Sequence, residues 1–222
     1  HLRGWFLSTT PGTMRATVGG CVACDAHGKN WKAGSFCNFV KGFNLLLHDG
    51  RIIYCDDKDN SSIFFATIGG MGITGVILDV RLELKKVTSS YLDVETIRLN
   101  NLKELFDLQN ETIDSHEYLF TWIDSHKDGM NMGRSILQRA NHSQNNELIY
   151  KTKKSIQIPY MPNFAINRYS VGLFNFAYYF SVGNNPKKKK MYITDYFYPL
   201  DGLANWNRLY GRNGFLEYQV VI

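Results

Sequence analysis

The sequence predicts an α+β fold in two parts, a glycine-rich part over residues 1–88 and an aromatic-rich antiparallel sheet with helices over residues 89–222. Three observations carry this. Glycine and small residues crowd the first part, while aromatics, asparagine and lysine crowd the second. An Asp-Gly turn sits between two apolar runs, and strand, helix, strand and strand patterns follow one another after residue 90. With 44% hydrophobic and 14% aromatic residues among 222, the chain can fill one large core or two small ones.

Taken in order, the runs at 43–47 and 51–55 flank His48-Asp49-Gly50, and Asp-Gly supplies the positive φ angles of a tight hairpin. Asn60-Ser61-Ser62 offers an N-cap for a short helix over 63–68 that Gly69-Gly70 ends. Val76, Leu78, Val80, Leu82 and Leu84 then alternate with Asp79, Arg81 and Glu83 as a half-buried strand, with Ile77 as the one apolar residue on its polar face. Residues 85–90 mark the boundary between the parts.

Beyond the boundary, 92–97 reads as a strand, and Leu102, Leu105, Phe106 and Gln109 stand at helical spacing. Strands follow at 118–123 and 135–139, so the expected sheet carries helices on one face. A helix over 168–179, a hairpin region near 191–198 and a short helix near 203–210 complete the pattern. In the last strand, 215–222, a period of two puts Leu216, Tyr218, Val220 and Ile222 on the core face and Phe215, Glu217, Gln219 and Val221 on the other.

Several function classes find no support in the bulk properties. Lys and Arg number 25 against 20 Asp and Glu, a net charge of +5, and most are interspersed, so charge alone does not call for nucleic acid. No apolar run approaches the ~18–20 residues that span a bilayer, and the first residues lack the layout of a signal peptide. Both ends read as cut, so the chain is expected to be an internal piece of a longer protein, and its compartment, cytoplasmic or periplasmic, is left open.

The most informative stretch is residues 11–30. From Thr17 to Ala26 every side chain is small or medium, so a ligand could lie directly against the backbone. Gly19-Gly20 would present amide N–H groups at the start of a short helix, which suits a diphosphate. By itself a glycine pair more often marks an ordinary turn. It also lacks the spacing of a dinucleotide fingerprint and the Gly-Lys-Ser/Thr of a P-loop.

Cys21-Val22-Ala23-Cys24 with His27 has redox or zinc spacing, but Cys37 and Cys55 supply no second ligand pair, so no metal is expected and the cysteines read as reduced fillers. Lys187–Lys190 could attract an anionic membrane or a polyprenyl phosphate, though a solvated hairpin loop is the plainer reading. The aromatic run 174–180 reads as packing.

Pro11-Gly12-Thr13, Thr17-Val18-Gly19-Gly20, Ala23-Cys24-Asp25, His27-Gly28-Lys29-Asn30, Ala33-Gly34-Ser35-Phe36, Asp49-Gly50, Phe65-Ala66-Thr67-Ile68-Gly69-Gly70 and Gly72–Ile77 follow one another in order. Further on come Tyr198-Pro199-Leu200-Asp201, Trp206-Asn207-Arg208, Tyr210-Gly211, Gly214-Phe215-Leu216 and Tyr218-Gln219. In content and order these segments resemble the vanillyl-alcohol-oxidase (PCMH-type) family of bacterial FAD-linked oxidases, and among its members those acting on a polyprenylphosphoryl ribose, a cell-wall arabinan precursor. The resemblance is weakest between residues 89 and 165.

It implies the second FAD-binding subdomain over residues 1–88 and part of a substrate-binding cap domain over 89–222. It implies FAD as cofactor, with Gly12, Thr17, Val18, Gly19, Gly20, His27, Gly28, Lys29, Asn30 and Ile77 as contacts, and His27 and Lys29 as catalytic residues at the flavin ring. A lysine there would stabilise negative charge, and a histidine would orient or deprotonate an alcohol. Glu217 and Gln219 would meet the sugar hydroxyls, with glutamine at the relatives' equivalent of Glu217.

The implied reaction oxidises the C2 hydroxyl of the sugar to a ketone, with a reductase partner completing an epimerisation and peripheral membrane contact as a further expectation. The flavoprotein's missing terminal segments would leave this piece inactive alone. The alternatives are an aldonolactone or sugar oxidase of the same fold, or a non-catalytic module holding a glycan or lipid.

Overall fold

A computed structural model describes residues 3–152 and 154–216. It is α+β, with helices packed on antiparallel sheets. The chain enters through β1 (Trp5–Leu7), crosses a long loop, and forms the six-residue helix α1 (Val18–Ala23). Strands β2 (Val40–Leu46) and β3 (Ile52–Cys55) make the expected hairpin. Its loop has three residues: Leu47 and Gly50 are joined by a backbone bond of 3.1 Å, and Gly50 alone takes the positive φ, 84°.

Helix α2 (Ser61–Thr67) follows, but Asn60 does not cap it. Asn60 adopts a left-handed conformation, and its side-chain amide donates to the Tyr54 carbonyl at 2.7 Å. The loop after α2 returns to α1, where the N–H groups of Gly69 and Met71 satisfy the carbonyls of Val22 and Ala23 at 3.0 and 2.8 Å. A helix end that propensity leaves open is thus closed by a distant loop.

Strand β4 (Val76–Leu82) completes a three-stranded sheet in the order β3-β2-β4. Its pairing corrects the alternation read from sequence. Asn44 pairs with Asp79 and Leu45 with Ile77, so Leu78 is the extra residue of a β-bulge. The bulge turns Ile77 to the core beside Val80 and Leu82, and leaves Val76 and Leu78 at 61 and 48% exposed. The core beneath holds Val22, Phe36, Phe43, Leu45 and Phe64, with Phe43 and Phe64 stacked at 5.2 Å between centroids. Cys21, Cys37 and Cys55 are buried free thiols, whereas Cys24 is exposed.

Strand β5 (Leu84–Lys86) pairs back onto β1. The second part opens with β6 (Tyr91–Leu99), α3 (Leu102–Thr112), β7 (Tyr118–Ile123) and β8 (Ser135–His142). Asn101 caps α3 by accepting from Glu104 N–H at 3.0 Å. After the two-residue strand β9 (Ile156–Gln157) comes α4 (Arg168–Ser181), started by a capping box between Asn167 and Ser170. Strand β10 (Lys187–Tyr192) runs into α5 (Ile193–Phe197), and β11 (Leu203–Ala204) pairs with β9.

The main sheet has the order β10-β6-β8-β7 and is antiparallel throughout. Helices cover both of its faces, contrary to the one expected. Leu105 of α3 packs with Leu99 and Leu137, while Tyr179 of α4 packs on Ile136, the neighbour of Leu137 that points the other way. The four lysines form the edge strand β10 rather than a loop, where charge discourages further strand pairing. Residues 193–197 are helical where a hairpin was expected, because Ile193, Tyr196 and Phe197 bury one helical face against Leu92, Val94 and Tyr118.

Candidate functional site

The loop from Thr10 to Thr17 and the first turn of α1 form an open shelf, its side chains small apart from Met14 and Arg15. Thr17 caps α1 with its hydroxyl accepting the Gly20 N–H at 3.0 Å, and its carbonyl accepts Cys21 N–H at 2.9 Å. Gly20 therefore does not offer its N–H outward as expected, and helix geometry leaves the amides of Val18 and Gly19. Gly19 turns its Cα towards Ile77, where an added Cβ would stand 3.5 Å from the Ile77 Cβ. The inward turn that the bulge gives Ile77 thus places it against the base of the shelf. Around Gly12 an added Cβ would meet nothing within 4 Å, so the backbone there can be approached closely.

The residues after the shelf divide. His27 is exposed, while Lys29 and Asn30 turn inward. Gly28 is required by the crossing of two chain segments, since a Cβ there would stand 2.3 Å from the Thr10 carbonyl oxygen. Asn30 is occupied by protein partners. It donates to the Ser8 carbonyl at 3.0 Å and to Glu117 at 3.3 Å, and it accepts from Ala33 N–H at 3.1 Å.

Lys29 is the unusual group. Its ammonium lies 4.4 Å from the centroid of Phe120 and 4.8 Å from that of Tyr196, and it donates to the Tyr196 carbonyl. Its own carbonyl accepts from Leu119 N–H at 2.8 Å, which pins the segment to β7. Burial pushes its pKa down to about 8, and no carboxylate pairs with it among the described residues. A buried cation balanced only by ring faces and one carbonyl suits an anionic ligand group.

A neighbouring lysine shows the contrast. Lys85 is bonded to Glu117 and donates to Tyr118 Oη at 2.7 Å, and the same oxygen lies 3.0 Å from His142 Nε2. This network joins the two parts of the chain behind the site. Burial lowers the pKa of His142 to about 4, so the imidazole is neutral at ordinary pH.

Sequence reasoning missed Asp201. Its carboxylate closes on the shelf from the second part of the chain, with Oδ1 accepting the Thr13 hydroxyl at 2.6 Å and Oδ2 accepting Met14 N–H at 2.7 Å. Two cavities flank this clasp. One of about 440 Å³ is lined by Gly12, Thr13 and Arg15 on one side and Leu200, Asn205 and Trp206 on the other. The second, of about 190 Å³, runs along Thr13, Met14, Ala16 and Val18 to Phe36 and Tyr198. Glu217 and Gln219 lie outside the described residues.

No family model matches the chain. It is 30% identical to decaprenylphosphoryl-β-D-ribose oxidase of Mycolicibacterium smegmatis over 99% of its own length and 50% of that protein. The chain is similar to FAD-linked oxidases. An uncharacterized protein in the mprA 5' region of Streptomyces coelicolor is 36% identical over 63% of the chain and 38% of its own length. Cytokinin dehydrogenase 1 of Arabidopsis thaliana is 32% identical over 32% of the chain and 13% of its own. The vanillyl-alcohol-oxidase (PCMH-type) resemblance read from the motifs therefore holds, with an oxidase and a dehydrogenase among the relatives. The chain spans half the length of the ribose oxidase and less of the others.

Proposed function

We propose that this chain forms the second FAD-binding subdomain, residues 1–88, and part of the substrate cap, residues 89–222, of an FAD-dependent oxidoreductase. Its substrate is a sugar secondary alcohol, a polyprenylphosphoryl ribose whose C2 hydroxyl becomes a ketone. The observation that carries this is the buried Lys29 ammonium, which has no carboxylate partner among the described residues and sits in the segment that follows the small-residue shelf.

The fit to FAD rests on the open backbone at Gly12, the uncapped amides of Val18 and Gly19, and the cation at Lys29. Gly12, Thr17, Val18, Gly19 and Gly20 would hold the cofactor along the shelf, with Ile77 supporting it from below. His27, Gly28, Lys29 and Asn30 would border it on the far side, where Gly28 and Asn30 serve by fixing the turn. Bound FAD supplies a hydride acceptor at N5, the redox chemistry no side chain here can provide.

The chain's own residues orient and hold charge. Lys29 stabilises negative charge that develops near it, and the Phe120 and Tyr196 rings keep water from its ammonium. His27 takes the alcohol proton, and Asp201 holds the shelf against the cap. Glu217 and Gln219 hydrogen-bond the sugar, so Gln219→Leu raises KM or slows reduction markedly. The product ketone calls for a reductase partner, and the lipid tail calls for contact with a membrane.

The full-length protein tests the reading by its absorbance and by stopped-flow reduction. Flavin bands near roughly 370 and 450 nm that bleach on adding polyprenylphosphoryl ribose support it. A colourless protein that binds glycan or lipid would replace it with a binding module.

A further inference from the structure

Helix α4 carries apolar residues on both sides, with Tyr179 packed inward on Ile136. Its inward side carries Asn175, whose amide donates to Asp124 Oδ1 at 2.7 Å, and Asp124 is held in turn by Arg134 at 2.9 Å. Its outward side carries Tyr169, Leu173, Phe176 and Phe180, which are 78, 70, 54 and 50% exposed. At about 100° per residue these four fall within roughly 60° of arc, so they form one continuous stripe. The aromatic run read from sequence as packing is thus only half packed.

Cations stand at both ends of this stripe. Arg168 is the only charged residue of α4. At its amino end Lys127 and Arg168 border a hollow shared with His126, Tyr169 and Phe176, whose carboxylate, Asp124, is paired with Arg134. At its carboxy end Arg98 stands 5.1 Å from the Phe180 centroid, and Lys187 donates to the Ser181 carbonyl at 3.3 Å. Lys187 opens β10, whose four lysines are exposed; Lys187 and Lys189 lie on the sheet face that carries α4, while Lys188 pairs with Glu95 on the other.

We propose that α4 and the near face of β10 form a docking surface for an anionic lipid bilayer, with α4 lying in the headgroup plane and Lys187 and Lys189 on lipid phosphates. An aromatic and leucine stripe with cations at both ends is the chemistry of a helix that lies on a membrane. A second copy fits poorly, because a two-fold contact would set basic ends against each other. The 14 residues of α4 reach about 21 Å, short of the ~30 Å hydrocarbon layer, so it lies on the bilayer rather than crossing it. The reason for meeting a bilayer rests on the reading above, since a polyprenyl chain resides there; the surface itself does not depend on it.

The test is co-sedimentation of the full-length protein with phosphatidylglycerol vesicles and, separately, phosphatidylcholine vesicles. Phosphatidylglycerol should bind at least ~tenfold more tightly, and salt should weaken that binding. Leu173→Glu with Phe176→Glu should cut it about tenfold or more, and replacing Lys187–Lys190 by glutamine should remove most of the salt dependence. Phe176→Trp guards against a variant that fails to fold, since the emission it adds to that of the wild type should shift to the blue only when phosphatidylglycerol vesicles are added.

Equal weak binding to both vesicle types overturns the proposal. So does an added emission from the Phe176→Trp variant that is already blue before vesicles are present, or a dimer that Leu173→Glu splits. Flavin bands recorded on the same samples keep the two ideas apart. Their absence with vesicle binding intact sinks the oxidase, and their presence without vesicle binding sinks the surface.

Discussion

Asp201 holds Thr13 across 188 residues of sequence, one carboxylate oxygen taking the threonine hydroxyl at 2.6 Å while the other takes the next residue's N–H. One short side chain therefore ties the shelf to the second part of the chain. Thr13→Val and Asp201→Ala should each cost about 1 kcal/mol, and the double variant should cost less than their sum by at least ~0.5 kcal/mol. Urea denaturation of the four proteins measures the coupling, and strict additivity would mean that the contact is not formed in solution.

Lys29 predicts a pH dependence with a definite sign. A lysine whose folded pKa is lowered to about 8 destabilises the fold while it is protonated, and that cost is relieved as pH rises from about 8 towards the ordinary lysine range. Lys29→Met should then raise stability at pH 7 by about 1–3 kcal/mol, with the gain fading above pH ~10. In the full-length enzyme the same variant should lose flavin reduction, and the wild-type reduction rate should fall as pH rises through about 8. Thermal melts across pH and stopped-flow traces follow the two effects separately.

The glycines of the shelf separate folding from binding. Gly28→Ala drives a methyl into the Thr10 carbonyl and should cost about 2–4 kcal/mol. Gly12→Val, with open space around it, should leave the melting temperature of the apoprotein within about 1 °C and lower flavin retention. Gly20→Val is less clean, because its Cβ would stand 2.9 Å from the capping Thr17 hydroxyl. Differential scanning calorimetry and flavin content after gel filtration distinguish these outcomes.

Tyr118→Phe removes the hydroxyl shared by Lys85 and His142 and leaves both half-buried groups a partner short. It should destabilise the chain by about 1–3 kcal/mol without changing flavin content in the full-length protein. A loss of flavin in step with the loss of stability would tie this network to the cofactor instead.

What could be read from the sequence was what local chemistry decides. Asp49-Gly50 announced its hairpin because a positive φ at Gly50 is a local demand, and Asn167 with Ser170 started α4 by a local cap. The β4 bulge was hidden, since nothing in the alternation of Val76 to Leu82 says which residue will be left unpaired by β2. The lysine run read as a loop because lysine disfavours strands, yet the backbone of β6 pairs with all four lysines. In the site, the shelf was legible from its small residues and Lys29 from the motif around it. Asp201 was not, because its meaning lies in Thr13, and no periodicity links residues so far apart.

The pairing of β1 with β5 sets Trp5 beside Lys86 and Leu7 beside Leu84. Everything from residue 8 to residue 83 is therefore a closed loop of chain whose stem is a short two-stranded clasp, tied to the second part also by Thr13 on Asp201 and Lys29 on Leu119. Tension applied where the second part begins, near Val87, would load the β1–β5 hydrogen bonds before any bond inside the lobe. Such a lobe can be lengthened or trimmed at its outer loops without displacing its stem or the Thr13–Asp201 contact, so the spacing between the shelf and the second part of the chain is insulated from changes in the rest of the lobe.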